Sequence, residues 1–383
     1  MSFIHASIFY IHIKTFIKIV YLQCFKHFSI KRFLITVVFL VLFTLMSLVV
    51  LIARLLDEIL FPNYRNLHVE KPVFIIANPR SGTTFLHRLF CLDEERYGYT
   101  RLYHTLFPSI TIFKIVDFFG AIDQRIGHPM RKTFDYFDGI FFKGWEDIHP
   151  MGFNQSEEDE GTFIFTLITS GIFLLCPYMD EIDYVKFPDL MSEKERKALA
   201  AYYKSSIQRF MYALGTDKIF LSKNVMSTGR LNTIIEIFPQ AKIVYIVRSP
   251  YDAVPSFISM FSAAWKAHSP EIPENSKYHR AWGELAMDYY IYFHENIKKL
   301  PQSQWCTLKY EDLIAHPHQE MVKIYNHFGM NISPVFEERL KNASGQSKNY
   351  KSSHSYSLEQ YGMTKEDVLT KLAPIFDRYQ FEK

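Results

Sequence analysis

Phe33 to Ala53 is a run of 21 residues without a charge, closed by Lys31-Arg32 on one side and Arg54 on the other. A helix needs about 20 apolar residues to cross the hydrocarbon of a bilayer, so the run qualifies as a transmembrane helix over 33–53. It shows no polar face, which sets it apart from the amphipathic helix of a soluble core. It is also too long, and too far inside the chain, for the apolar core of a secretory leader. The preceding segment, 1–32, holds Lys14, Lys18, Lys26, Lys31 and Arg32 but no Asp or Glu. It reads either as an amphipathic helix lying in the interface or as the first arm of a hairpin. The chain is therefore expected at a membrane, by a single pass or a hairpin, and these place the remaining chain on opposite sides. Such an anchor predicts that residues 1–56 can be removed without unfolding the rest of the chain.

The character of the chain changes after a short linker, 54–70. From 71 to 383 it reads as a soluble α/β domain. Net charge is +3, and the basic excess lies in the first 32 residues. That distribution argues against a nucleic-acid binder. Cys24, Cys91, Cys176 and Cys306 show no paired spacing, so neither a zinc site nor a disulfide scaffold is expected. Val73–Ala77, Ile219–Leu221, Ile243–Val247 and Trp305–Leu308 are short apolar runs of the kind that form buried parallel strands. Phe85–Leu92 and Arg230–Phe238 have helical spacing between them. The alternation predicts a doubly wound parallel sheet. An aromatic-rich stretch of about 101–215, with few strand signals, reads as a helical cap inserted into that sheet. Lys341–Ser357, rich in Ser, Asn and Lys, reads as a loop.

The first strand runs into Ala77-Asn-Pro-Arg-Ser-Gly-Thr-Thr84 and then a helix. In such a junction the loop N–H groups and the positive end of the helix converge on one anion, usually a phosphate. A nucleoside-triphosphate loop would need Gly at Ala77 and Lys at Thr83. Here the cation is Arg80, which grips an oxyanion with two parallel donors where Lys acts as a point charge. A second group follows the strand Ile243–Val247. Ser249, Pro250 and Asp252 read as a helix N-cap, first residue and capping box. Arg248, at the carboxyl end of a parallel strand, stands where doubly wound sheets bind ligands. Ser256 falls about two helical turns beyond the cap, on its face.

Together these segments resemble the sulfotransferase family. The loop is similar to the family's 5′-phosphosulfate loop, P-K-S-G-T-T in cytosolic members, with Arg80 in place of Lys. Lys242–Phe261 is similar to its 3′-phosphate segment, an Arg at a strand end and a Ser eight residues on. Nearer still are bacterial-type, membrane-associated members with an E-D-E run, a Lys-bearing strand and a late H-x-Y-S-L-E-x-F-G stretch. Their counterparts here are Glu158-Asp159-Glu160, Leu221-Ser222-Lys223 and His354–Gly362, with Tyr310-Glu-Asp-Leu313 after the last strand. The resemblance implies a P-loop-like fold and 3′-phosphoadenosine 5′-phosphosulfate (PAPS) as donor. It implies an alcohol, phenol or amine as acceptor, whether a small molecule, a lipid or a glycan. In these terms Arg80, Ser81, Gly82, Thr83 and Thr84 bind the 5′ end, and Arg248 and Ser256 the 3′ phosphate.

One departure matters. Cytosolic members carry K-T-H on the strand before the 3′ segment, and that His is their base. The matching residues here are Lys223-Asn224-Val225, and Val225 accepts no proton. In-line sulfuryl transfer, like phosphoryl transfer, needs cations on the transferring oxygens and a group for the acceptor's proton. Arg80 and Lys223 supply charge, and no metal is required because the leaving group is a stable phosphate. Glu158, Asp159, Glu160 and His149 are the candidate bases, Glu158 first among them. Adjacent carboxylates raise one another's pKa toward a useful range, although the same run also reads as a solvated helix start. Two other classes stay open at this point: a P-loop kinase or NTPase, and a non-catalytic membrane protein that keeps a nucleotide-binding fold.

Overall fold

The structure, a computed structural model, describes residues 3–78, 80–129, 131, 133, 156–215, 217–346 and 357–383. His149 and His354 lie outside the described residues.

The first elements are the short helices α1 (Phe3–Ile8) and α2 (Ile13–Tyr21), followed by the 31-residue α3 (Ile30–Leu60). The apolar run forms a helix as expected, but α3 does not stop at a linker. It continues to Leu60, and a 3-10 turn, Pro62–Asn66, follows with Tyr64 buried. The reason lies in the polar residues of the expected linker. Arg54 donates to Ser205 Oγ at 3.0 Å, Ser206 Oγ at 2.8 Å and the Ser7 carbonyl at 2.9 Å. Asp57 and Arg209 pair at 3.0 Å, both side chains fully buried. Arg54, Asp57 and Tyr64 thus fasten residues 54–66 to the domain.

Strands β1 (Val73–Ala77), β2 (Tyr97–Tyr99), β3 (Ile219–Lys223), β4 (Lys242–Val247) and β5 (Trp305–Lys309) form one parallel sheet in the order β2-β3-β1-β4-β5. Side chains alternate across it. Phe74, Ile76, Phe220, Ile243 and Tyr245 join one hydrophobic core, and Val73, Ile75, Ala77, Leu221 and Val244 join the other. Helices therefore cover both faces, as the continuous apolar runs require. The helix Lys277–Asn296 packs on the first face. On the second lie α4 (Thr83–Cys91) and the helix Pro317–His327.

Between β2 and β3 the described residues are almost entirely helical. They comprise α5 (Leu102–Leu106), α6 (Ile110–Arg125), five 3-10 turns from Asp159 to Leu190, and the helix Glu193–Leu214. The stretch expected as a loop from Lys341 is helical through Gln346, as the end of the helix Pro334–Gln346.

Candidate functional site

The site forms at the carboxyl edge of the central strands. β1 ends in Ala77, fully buried, and the chain then leaves the sheet. Asn78 donates to the Ala286 carbonyl at 3.0 Å, which ties the loop to the helix Lys277–Asn296. Arg80 (φ 65°) and Gly82 (φ 84°) both take left-handed backbone, wrapping the loop back on itself before α4 starts at Thr83. Gly82 also faces the Tyr310 ring so closely that a Cβ would stand 2.8 Å from Cδ2. The first-turn N–H groups of α4 have no carbonyl partner within their own helix. Ser81 is fully buried, and its hydroxyl meets no hydrogen-bond partner among the described residues.

The two basic segments meet here. Arg248 follows directly on β4, and its Nη1 donates to the Arg80 carbonyl at 2.8 Å. Arg80 Nε in turn lies 3.3 Å from Ser256 Oγ. Tyr310 sits beneath both segments, its ring 4.7 Å from the Arg248 guanidinium and against Gly82. Tyr290 fixes the backbone by donating to the Arg248 carbonyl at 2.7 Å. Arg248 Nε is buried and has no hydrogen-bond partner among the described residues. Ser249 does stand at the N-cap, with Pro250 first in the helix, but its side chain makes no cap bond. The expected capping box is replaced by Asp252 turning toward Arg248, at 3.7 Å.

Lys223 closes the third side. Its register opposite Ile75 places it beside the loop, with its side chain completely buried. Nζ reaches Thr84 Oγ1 at 3.2 Å and Glu158 Oε1 at 3.0 Å. The acidic run divides three ways. Glu158, partly exposed, faces the loop through Lys223. Asp159 turns into the core, where Tyr203, Ser222 Oγ (3.0 Å) and Asn224 Nδ2 (2.7 Å) all donate to it. Burial is the main cause of its rise to about 6, with the Glu160 charge a smaller one. Glu160 forms a two-pronged pair with buried Arg230, at 2.7 and 3.0 Å, and accepts from Thr169. Asp159 and Glu160 therefore hold the 3-10 turn Asp159–Thr166 to the domain, and Glu158 alone of the three faces the loop.

Two residues here escaped sequence reasoning, while Tyr310 was legible only as part of the stretch Tyr310–Leu313. The place of Tyr290 becomes visible only once the strands are ordered. Glu157 is the other. It is buried next to Glu158, has one carboxyl oxygen without a partner among the described residues, and is pushed up to about 7, chiefly by burial. Its folded value lies above the ordinary 4.5, so the protonated form stabilises the fold at low pH. That contribution is lost as pH rises through about 7. Glu157→Gln should melt like the parent chain near pH 5 and above it near pH 8. Parallel melting curves for the two proteins at both pH values would contradict this.

A profile of the sulfotransferase family matches residues 177–334, a span that contains Lys223, Arg248, Ser256 and Tyr310. The omega-hydroxy-beta-dihydromenaquinone-9 sulfotransferase Stf3 of Mycobacterium tuberculosis is 25% identical over 350 residues, covering 90% of this chain and 84% of the relative. In fold, the chain is similar to the crystal structure of sulfotransferase STF9 from Mycobacterium avium, with a TM-score of 0.71 and 15% identity over 88% of this chain and 82% of that one. It is also similar to sulfotransferase STF1 from Mycobacterium tuberculosis H37Rv, with a TM-score of 0.61 and 20% identity over 85% and 83% of the two chains. Residues 177–334, which carry Lys223 and Arg248, match the sulfotransferase family, and the chain shares the fold of solved sulfotransferases.

Proposed function

We propose that the chain moves the sulfuryl group of PAPS to a hydroxyl on a hydrophobic, membrane-dissolved acceptor. The contact of Arg248 with Arg80, 2.8 Å, carries the donor assignment, because it joins the two anion-binding segments into one basin. The loop suits a 5′ phosphosulfate: Gly82 lets a ligand approach the backbone, and Ser81, Thr83 and Thr84 bring hydroxyls to the start of α4. Arg248, with its buried and unpartnered Nε, and Ser256 suit a 3′ phosphate.

In this reading Arg80 and Lys223 hold the equatorial and bridging oxygens as charge shifts toward the leaving phosphate. Glu158 takes the proton of the acceptor hydroxyl. The acceptor oxygen forms its bond to sulfur while the opposite sulfur–oxygen bond breaks, and the electron pair leaves on the 5′ phosphate. Lys223 serves two partners, steadying the Glu158 carboxylate in the free enzyme and turning to the sulfuryl oxygens when the donor is bound.

Two observations favour a hydrophobic acceptor. The relative Stf3 acts, by its name, on an omega-hydroxylated menaquinone. In this chain the 3-10 turn that follows Glu158 leads straight to the apolar N-terminal helices, since Phe165 lies 6.3 Å from Phe43 of α3. The N-terminal helices would accordingly hold the enzyme at the membrane.

Adenosine 3′,5′-bisphosphate should bind more tightly than AMP by roughly tenfold to a hundredfold, the worth of a charge-assisted bond of about 1.5–3 kcal/mol. Arg248→Ala should erase that preference, as calorimetric titration would read. Equal affinity of the parent chain for both nucleotides would remove the 3′ assignment.

A further inference from the structure

The polarity of α3 is inside out. Its polar residues Arg32, Thr36, Ser47, Arg54 and Asp57 all lie on the stripe buried against the domain. On the opposite stripe Leu34, Val38, Leu42, Leu45, Ile52 and Leu56 are each between 40% and 58% exposed. Thr44 is the one hydroxyl among the exposed residues from 34 to 56. Alongside it, α2 and the turn after it expose Ile13, Ile17, Tyr21, Phe25 and Phe28, between 48% and 69%. Phe16 of α2 stacks on Phe43 of α3, with centroids 6.4 Å apart, so the two helices that carry these stripes touch.

Both ends of α3 are fastened to the same domain. Arg32 bonds Ser269 Oγ at 3.0 Å and pairs with Glu271. Arg54, about 33 Å further along the axis, bonds Ser205 and Ser206. That separation equals or exceeds the roughly 30 Å hydrocarbon thickness of a bilayer. A helix crossing the membrane would therefore set its two points of attachment at opposite faces of the bilayer and draw the part of the domain between them into the hydrocarbon, where its polar surface finds no water.

We infer that α2 and α3 lie flat on one leaflet as a monotopic membrane seat, with their exposed apolar stripes among the acyl chains and the catalytic domain above them. The occupant is lipid because protein interfaces carry about one hydrogen bond per 100–200 Å², and this stripe offers almost no group to make one. The charge at the margin agrees. Exposed Lys14 and Lys31 lie on these helices and suit anionic headgroups, while Lys18 and Lys26 share Glu181 of the domain, at 3.7 and 2.8 Å. This seat deepens the membrane reading proposed above and is independent of the transferase chemistry.

The test is depth measured along the helix in the full chain. Nitroxides are attached in turn at Leu34→Cys, Leu45→Cys and Leu56→Cys, with the half-exposed Cys24, Cys91 and Cys306 changed to serine. The protein is bound to vesicles of phosphatidylcholine and phosphatidylglycerol. All three labels should lie at one shallow depth, roughly 5–10 Å below the headgroups. A profile that is deepest at 45 and shallow at both ends would overturn the flat seat while leaving membrane attachment standing. Labels untouched by lipid, in a chain that self-associates, would overturn both in favour of a protein partner. Should the serine background not fold, Leu42→Lys with Leu45→Lys in the unaltered chain is the second measure. Vesicle flotation should then fall roughly tenfold or more while turnover of a water-soluble alcohol is retained, and undiminished flotation would count against the seat.

Discussion

Glu158→Gln should lower turnover by roughly 10²–10⁴-fold while nucleotide affinity holds. The substitution keeps the shape and the contact with Lys223, now 3.0 Å from Oε1, but removes the basicity. It also removes the negative charge beside a fully buried lysine, and the site then presents more positive potential to an anionic donor. Affinity for adenosine 3′,5′-bisphosphate should therefore be maintained or improved, which separates this variant from a merely damaged site. Lys223→Ala and Arg80→Ala should instead weaken both binding and turnover, because their charge serves the ground state and the transition state alike. Asp159→Asn should act on stability first, since Asp159 spends its oxygens on Tyr203, Ser222 and Asn224. Near-normal turnover in Glu158→Gln would defeat the assignment and pass the role to His149, for which His149→Gln is the matching variant.

Asp57→Ala should destabilise the fold by about 3–5 kcal/mol, the cost of breaking one side of a buried ion pair. Asp57 accepts from Ile110 N and Arg209 Nε, both at 3.0 Å, and from Thr111 N at 2.8 Å and Ser109 Oγ at 3.0 Å. One carboxylate thus caps α6 and neutralises Arg209. Removal of the side chain leaves the guanidinium buried beside Glu58 alone among its carboxylate partners. Asp57→Asn, which keeps the acceptor oxygen but not the charge, should lose less. The same network revises the expectation that residues 1–56 can be deleted. Deletion takes away Arg54 and the Ser7 carbonyl and uncovers Ser205, Ser206 and Phe165. The shortened chain should aggregate or melt far below the full one in a thermal denaturation series, and a monomeric, equally stable product would refute this.

The parallel strands were legible because a strand buried on both faces must be apolar throughout, and Val73–Ala77 and Ile243–Val247 are. β2 was not, because Tyr97-Gly98-Tyr99 is too short to show a period and draws its stability from β3. Arg80, Arg248 and Ser256 were legible from their places after strand ends. Their direct contact was not, since it depends on β1 and β4 being neighbours. The acidic run did not say which carboxylate faces the loop, for the 3-10 geometry after Glu158 sends successive side chains in different directions. The structure departs from the expected linker in that α3 runs on through Arg54 to Leu60, which only a buried partner as distant in sequence as Arg209 makes visible.

The inside-out helix also sets the order in which the molecule can be assembled. α3 leaves the ribosome before any group that covers its polar stripe exists. Arg54 meets Ser205 and Ser206 only 151 and 152 positions later, and Arg32 meets Ser269 after 237. Contacts of such separation close late, after local helices have formed. Through most of translation, therefore, the nascent N-terminus carries unpaired arginines on one side and bare hydrocarbon on the other. A lipid surface or a holding chaperone is what can shelter it in that interval. A helix made before its partners is completed after them.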